Sequence, residues 1–424
     1  MLNSPCIPPL LEGRRFTSQL LAFILVHSSV ARAGDWPQIL GPDRNGIAVD
    51  EKIVEAFPKG GPTVRWTREV GEGFAGVAVS RGKVILFHRS EDEERVDAFD
   101  ARTGGPQWSV SFPAAYAGGV SPDRGPRCVP VIDGERVFVL GAAGDVHCVG
   151  FADGKKIWSR SLTREFKAQE GYFGFGSTPI VEGDKLIVNA GGRAGAGIVA
   201  FATADGKPVW QSTDEQASYS SPVGVTRDGI RHVVFVTRMS ALSINPEDGR
   251  VRWKFPFGAR GPTVNAATPL VFDDQLFLTA SYGVGAVLAR FDRDQAETIW
   301  ANNETMSSQY STCVRHDGLL YGIDGRQDVG VARLRCFDPQ TGKVHWTKDR
   351  FGVASLILAD GKLIIVKDEG VLVLVSATPT GYRELGQARL STTTTRALPA
   401  LSEGLLFVRD TETLKCIDLG KNGS

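Results

Sequence analysis

The stretch Val331-Ala-Arg-Leu-Arg-Cys-Phe-Asp-Pro-Gln-Thr-Gly-Lys-Val-His-Trp346 decides the fold. It reads as an apolar strand, a tight turn and a second strand ending in tryptophan. In the turn Asp338-Pro-Gln-Thr-Gly342, proline fixes φ and glycine supplies a positive φ. The pattern recurs: 96–104 leads to Trp108, 146–154 to Trp158, 198–206 to Trp210, and 242–249 to Trp253. In all five copies a glycine precedes the tryptophan by four residues. Leu288-Ala-Arg-Phe-Asp292 leads to Trp300 without that glycine.

Seven of the eight tryptophans occupy this slot: Trp66, Trp108, Trp158, Trp210, Trp253, Trp300 and Trp346. Their separations are 42, 50, 52, 43, 47 and 46 residues, a period that marks a repeat architecture. Each repeat supplies four short strands with period-2 patterning. Hairpin signals such as Asp133-Gly134, Asp317-Gly318 and Asp360-Gly361 fall between first and second strands. Repeat seven loses its tryptophan near Leu385, and repeat eight stops after three strands. The orphan strand at Trp66 supplies the missing fourth. The expected fold is all-β: an eight-bladed β-propeller of four-stranded antiparallel blades, the last blade closed by an N-terminal strand.

Arg14 and Arg15 precede a mostly apolar stretch, 16–30, and Ala31-Arg32-Ala33 reads as a cleavage site. Residues 1–33 are therefore expected to be a signal peptide, with export to the periplasm or beyond. Residues 34–62 form a lead-in, expected on the surface, followed by the propeller over 63–420 and a tail at 421–424. No transmembrane segment is expected after cleavage. The formal net charge is zero, with 48 basic and 48 acidic residues, which gives no footprint for nucleic acid. Of six cysteines, Cys6 leaves with the leader, and Cys148, Cys336 and Cys416 share a slot with Ala98, Ala200 and Ser243. Buried thiols are expected rather than disulfides.

The Asp-x-x-Thr-Gly-x-x-x-Trp signature at 100–108 and 338–346 resembles the repeat of pyrroloquinoline-quinone-type (PQQ-like) propellers. That superfamily includes quinoprotein alcohol dehydrogenases and the BamB-like outer-membrane assembly proteins. The opening Trp36-Pro-Gln-x-x-Gly-Pro is similar to secreted bacterial propellers of this kind. The signature speaks to fold and says little of activity.

Gly195-Ala-Gly197 matches part of a dinucleotide fingerprint but sits between two strands, so it reads as a hairpin. No histidine or cysteine spacing fits a metal site. A ligand would enter where the innermost strands begin. Aligning the repeats places Arg127, Phe175, Tyr219, Asn265, Tyr310 and Arg396 there, with no acidic residue at the aligned positions. The arginines suit an anionic group and the aromatics an apolar ring or a protein anchor. The quinoprotein resemblance implies calcium held by Glu, Asn and Asp, a catalytic Asp and usually a vicinal disulfide; this chain has no Cys-Cys pair. The expectation is an exported, monomeric binding or scaffolding module without catalysis, cofactor or metal. Its partner is a protein or a small anionic or polymeric ligand. The alternative is a PQQ- and calcium-dependent alcohol, polyol or polyvinyl alcohol dehydrogenase; a third reading is a carbohydrate- or polymer-binding propeller.

Overall fold

The computed structural model describes residues 34–421 together with Met1, so the expected leader and Cys6 lie outside the described residues. Eight four-stranded antiparallel sheets follow one another along the chain, and the two-residue strand Ile47–Ala48 joins one of them as a fifth. The first blade is Val77–Ser80, Lys83–Ser90, Glu93–Asp100 and Pro106–Pro113, innermost to outermost. The eighth is Ala400–Ser402, Leu405–Arg409 and Thr413–Asp418, completed by Val64–Glu69. In that closure Trp66 lies opposite Cys416. The innermost strand of blade one touches those of blades two and eight, so the blades form a ring. The eight-bladed propeller expected from the repeat is the fold, with almost no helix; among the described residues the one helix is Leu162–Phe166.

The ring has two unlike faces. On the turn face, first strands turn into second and third into fourth. On the loop face lie the second-to-third hairpins and the links between blades.

Tryptophan and glycine recur together because each pair is a contact between blades. The indole N–H of Trp66 donates to Ala101 O at 3.0 Å, Trp108 to Phe151 O at 3.0 Å and Trp158 to Thr203 O at 3.0 Å. Each acceptor belongs to the turn of the following blade. Gly104 in such a turn has φ 67°, and a Cβ there would lie 2.7 Å from the Trp66 ring. Glycine is thus required twice, for its backbone angle and for the space the indole takes. Blade five lacks the glycine, and the Trp253 Nε1 facing it has no hydrogen-bond partner among the described residues. The small residue opposite each tryptophan also holds in three dimensions: Ala98 faces Trp108, Cys148 faces Trp158 and Cys336 faces Trp346. Cys128, Cys148, Cys313, Cys336 and Cys416 are buried free thiols.

In blade seven the slot opposite Leu374 holds Gly386. The vacancy is filled from elsewhere: carbons of Phe57 lie 2.7–2.9 Å from where a Gly386 Cβ would stand. Phe57 belongs to the lead-in, so a residue some 330 positions upstream in the chain replaces the missing indole.

The lead-in is not a surface strap. Trp36, 1% exposed, pairs with Val79 on the innermost strand of blade one. Ile132 N donates to Pro37 O at 2.8 Å, and Ile47–Ala48 runs parallel to Leu358–Ala359 in blade seven. The segment therefore threads the centre of the ring against innermost strands. It goes there because a turn-rich, apolar segment finds exposed strand edges lining the axis, and pairing satisfies both sets of backbone groups.

Candidate functional site

Arg44 marks the depth of that insertion. It is 2% exposed, at φ 54°, and among the described residues no carboxylate forms an ion pair with it. Its Nε donates to Gln38 Oε1 at 2.8 Å, and Nη1 to Pro222 O at 2.9 Å and Thr178 O at 3.3 Å. Nη2 donates to Pro179 O. Burial pulls the guanidinium down to about 9, with Glu182 acting against the shift. One side chain so ties the lead-in to blades three and four through backbone carbonyls, a use suited to arginine's fork of donors.

The opposite mouth, on the loop face, is built around Phe74. The Arg127 guanidinium lies 5.9 Å from its ring and the Arg396 guanidinium 5.3 Å. Arg127 also lies 5.4 Å from the Tyr116 ring and pairs with Asp123 at 3.2 Å. Arg396 donates to Gln327 Oε1, whose amide donates in turn to Asp368 Oδ2 at 2.9 Å. Two of the six expected mouth residues are therefore brought together, over a shared aromatic ring.

The other four sit differently. Tyr310 is close enough for Asp368 and Arg396 to act on its hydroxyl, which burial pushes up; among the described residues that hydroxyl has no hydrogen-bond partner. Tyr219 accepts the Phe173 N–H at 2.7 Å and is pushed up to about 12 by burial, so it anchors the loop at 166–176. Phe175 is 4% exposed and packs over Gly144 in the core between blades two and three. Asn265 is 2% exposed and donates to Thr237 O, Arg238 O and Phe257 O.

The acid-free mouth expected from the alignment is corrected by Asp123 and Asp368. Asp123 comes from the long loop after blade one, and Asp368 from the second-to-third hairpin of blade seven. Neither falls at an aligned strand start, so matching strands could not find them; the acid-glycine hairpin signal at Asp368-Glu369-Gly370 was the only pointer. Asp123 is already engaged by Arg127 and the N–H groups of Gly73 and Gly125. A calcium ion needs several free oxygens converging on one point. Here the two carboxylates belong to separate networks, Asp123 with Arg127 and Asp368 with Gln327, so these residues do not fit the quinoprotein calcium set. Among the described residues no group of three or more His, Cys, Asp and Glu side chains is placed to hold a metal.

A cavity of about 800 Å³ lies at the seam between the closing strand and blade one, lined in part by Arg68, His88, Arg95, Asp97, Trp108 and Ser109. His88 Nε2 and Ser109 Oγ both point at the Asp97 carboxylate, at 2.9 and 2.5 Å, and His88 Nδ1 accepts the Gly71 N–H at 2.8 Å. The serine bonds the acid rather than the imidazole. This trio therefore lacks the nucleophile–base contact of a hydrolase and holds three strands and the seam together.

A family model described as the outer membrane protein assembly factor BamB matches residues 92–348, more than half of the chain. The chain belongs to that family. BamB of Burkholderia pseudomallei is 24% identical over 323 residues, 72% of this chain and 74% of that protein. The crystal structure of BamB from Moraxella catarrhalis superposes with a TM-score of 0.62 at 15% identity, covering 85% of this chain and 99% of that one. A europium-containing methanol dehydrogenase reaches 0.66 at 12% identity, covering 89% of each chain. The quinohemoprotein alcohol dehydrogenase of Comamonas testosteroni reaches 0.65 at 14%, covering 94% of this chain and 82% of that one. At these identities the structural likeness shows the fold alone.

Proposed function

We propose that this protein is an exported scaffold that holds a protein partner on its loop face and performs no chemistry there. One observation carries the reading. Large apolar side chains stand exposed on the loops of that face: Val120 is 72% exposed, Tyr172 44%, Val329 57% and Met239 36%. Val120 and Tyr172 come from two different inter-blade loops clasped by the bond from Val120 N to Tyr172 O at 3.0 Å. Apolar groups held in water on ordered backbone suit a partner that buries them, with Arg127 and Arg396 as polar neighbours toward the centre. The BamB relatives' name, assembly factor for outer membrane proteins, points to a component or client of that assembly as the partner. No helix of the described residues is long and apolar enough to cross a membrane.

A photo-crosslinking residue at position 172, expressed in the native host, should yield a discrete protein adduct that disappears in Val120→Asp. The same residue at position 209, on an outermost strand, should yield none. Equal labelling at both positions would sink the proposal. Dye reduction by an alcohol that requires added quinone and calcium would replace it with the dehydrogenase.

A further inference from the structure

At the turn-face mouth, where the lead-in begins, Glu51 is 8% exposed. Its carboxylate accepts the N–H groups of Glu403 and Gly404, each at 2.7 Å. Among the described residues no lysine, arginine or histidine forms an ion pair with it. Burial raises its proton affinity; the Gly404 and Glu403 N–H bonds oppose that shift and the charge of Glu403 adds to it. Its neighbour Glu403 is already paired with Arg102 at 2.7 Å.

Gly34 stands beside this carboxylate. A Cβ built on Gly34 would lie 3.8 Å from Glu51 Oε1, so the Gly34 Cα is within about 5.3 Å of that oxygen and its nitrogen one further bond away. Ser402 Oγ donates to Gly34 O and fixes the residue in place. A cavity of about 330 Å³ opens here, lined by Gly34, Asp35, Trp36, Asp50 and Glu51 among others. Gly34 is also the residue that follows the Ala31-Arg32-Ala33 cleavage signature. In the unprocessed chain its nitrogen is a neutral amide. Hydrolysis of the Ala33–Gly34 bond by a leader protease consumes one water and leaves a carboxylate on Ala33 and an ammonium on Gly34.

We propose that this processing creates the missing cation: the α-ammonium of Gly34 pairs with buried Glu51 and fastens the lead-in into the ring. The pair rests on the export reading above, because only a cleaved leader frees that amine. The charged groups around it are Asp35, Asp43, Asp50, Glu51 and the Glu403–Arg102 pair, a net negative setting that further favours a cation.

The test uses the processed chain, residues 34–424, which keeps every strand of the ring. It is prepared with a free Gly34 amine, with that amine acetylated, and with Ala33 retained, each with Glu51 and with Glu51→Gln. An α-amine ordinarily titrates near ~7.7–8.0. In the Glu51 chain it should titrate at least tenfold more weakly as an acid, and acetylation should lower the unfolding midpoint by about 2 °C. Retained Ala33 displaces the ammonium by about 3.8 Å and should act like acetylation. Because the folded amine is raised above its unfolded value, the difference should be full at pH 7 and vanish as pH rises through the folded value. All three effects should be absent in Glu51→Gln. An amine with ordinary titration, or an acetylation effect that persists in Glu51→Gln, overturns the pair. N-terminal sequencing of protein recovered from the native host separates the two readings: a chain that does not start at Gly34 overturns the processing step, whatever the isolated pair does.

Discussion

From the turn face inward the ring is filled by its own chain, whereas around the loop-face mouth several buried polar atoms are left without partners among the described residues. Trp36, Arg44 and Ile53 of the lead-in are all at most 2% exposed, and Arg44 makes four hydrogen bonds. Around the other mouth, Tyr116 Oη, Tyr310 Oη and Arg396 Nε are buried without partners among the described residues, and Val120 and Tyr172 face water. Departures from local satisfaction concentrate where a protein works, because a site shaped for a partner cannot also be optimal alone. The difference suits stability at one mouth and, on the function proposed above, recognition at the other.

The comparison breaks most visibly at Arg44. Truncation to alanine would strand the carbonyls of Thr178, Pro179 and Pro222 in a dry interior and leave a void. Each unsatisfied buried group costs roughly 1–3 kcal/mol, so Arg44→Ala should lower stability by about 4 kcal/mol. Denaturant unfolding measures it. Brief proteolysis should then cut within residues 34–61, which the parent protects. A variant that unfolds like the parent would mean the insertion contributes nothing to holding the ring.

At the loop face the corresponding feature is Glu94. It is 3% exposed, accepts the Ala142 N–H at 2.9 Å and lies against Gly141. Burial pushes its carboxyl up to about 7; Asp145 adds to the shift, while the Ala142 bond, Arg89 and Arg127 oppose it. The sign follows from linkage. Between the unfolded value near 4.5 and about 7, the folded state holds more protons, so stability falls as pH rises across that window. The loss amounts to about 3 kcal/mol at full ionisation. Glu94→Gln keeps an acceptor for Ala142 and should flatten this part of the stability profile, leaving the variant more stable than the parent at pH 8. Parallel profiles for the two proteins would remove Glu94 from the argument.

How much of this was legible follows from repetition. Trp108 and Gly154 could be read because their contact recurs around the ring, and the closure could be read because Trp66 is the same residue in the same slot. Arg44, Phe57 and Glu94 each occur once. Nothing in a single copy tells a surface strap from a segment bound in the axis, and the turn-rich Gly-Pro-Asp-Arg-Asn-Gly run looks solvated until strand edges are placed around it. At the mouth, aligned strand starts bring Arg127 and Arg396 to one place, and both guanidiniums lie over the Phe74 ring. Register alone could not show that Asn265 and Phe175 turn inward, or that hairpins of varying length would bring Asp123 and Asp368 alongside.

The smallest effect should come from blade seven, and it tests whether the lead-in is structural along its whole length. Six of the other blades press an indole onto the next blade's turn and bond its N–H to a carbonyl there; the seventh, blade four, presses Trp253 without that bond. Blade seven has Gly386 in that slot and borrows Phe57, held nearby by Phe57 N donating to Leu385 O at 3.3 Å. Phe57 is half-buried and packs with Leu385 and Leu390 against the core that joins blades seven, eight and one. Full burial of a phenylalanine is worth about 3–5 kcal/mol on truncation, so a half-buried ring should give about 2 kcal/mol in Phe57→Ala. Phe57→Leu should recover more than half, since packing rather than a polar bond fills the slot. If Phe57 serves only this slot, its loss should add to that of Arg44→Ala within about 0.5 kcal/mol, because the two sites share no partner. A large deviation would show that the lead-in binds as one cooperative strap, with Phe57 holding the end that Arg44 anchors at the centre.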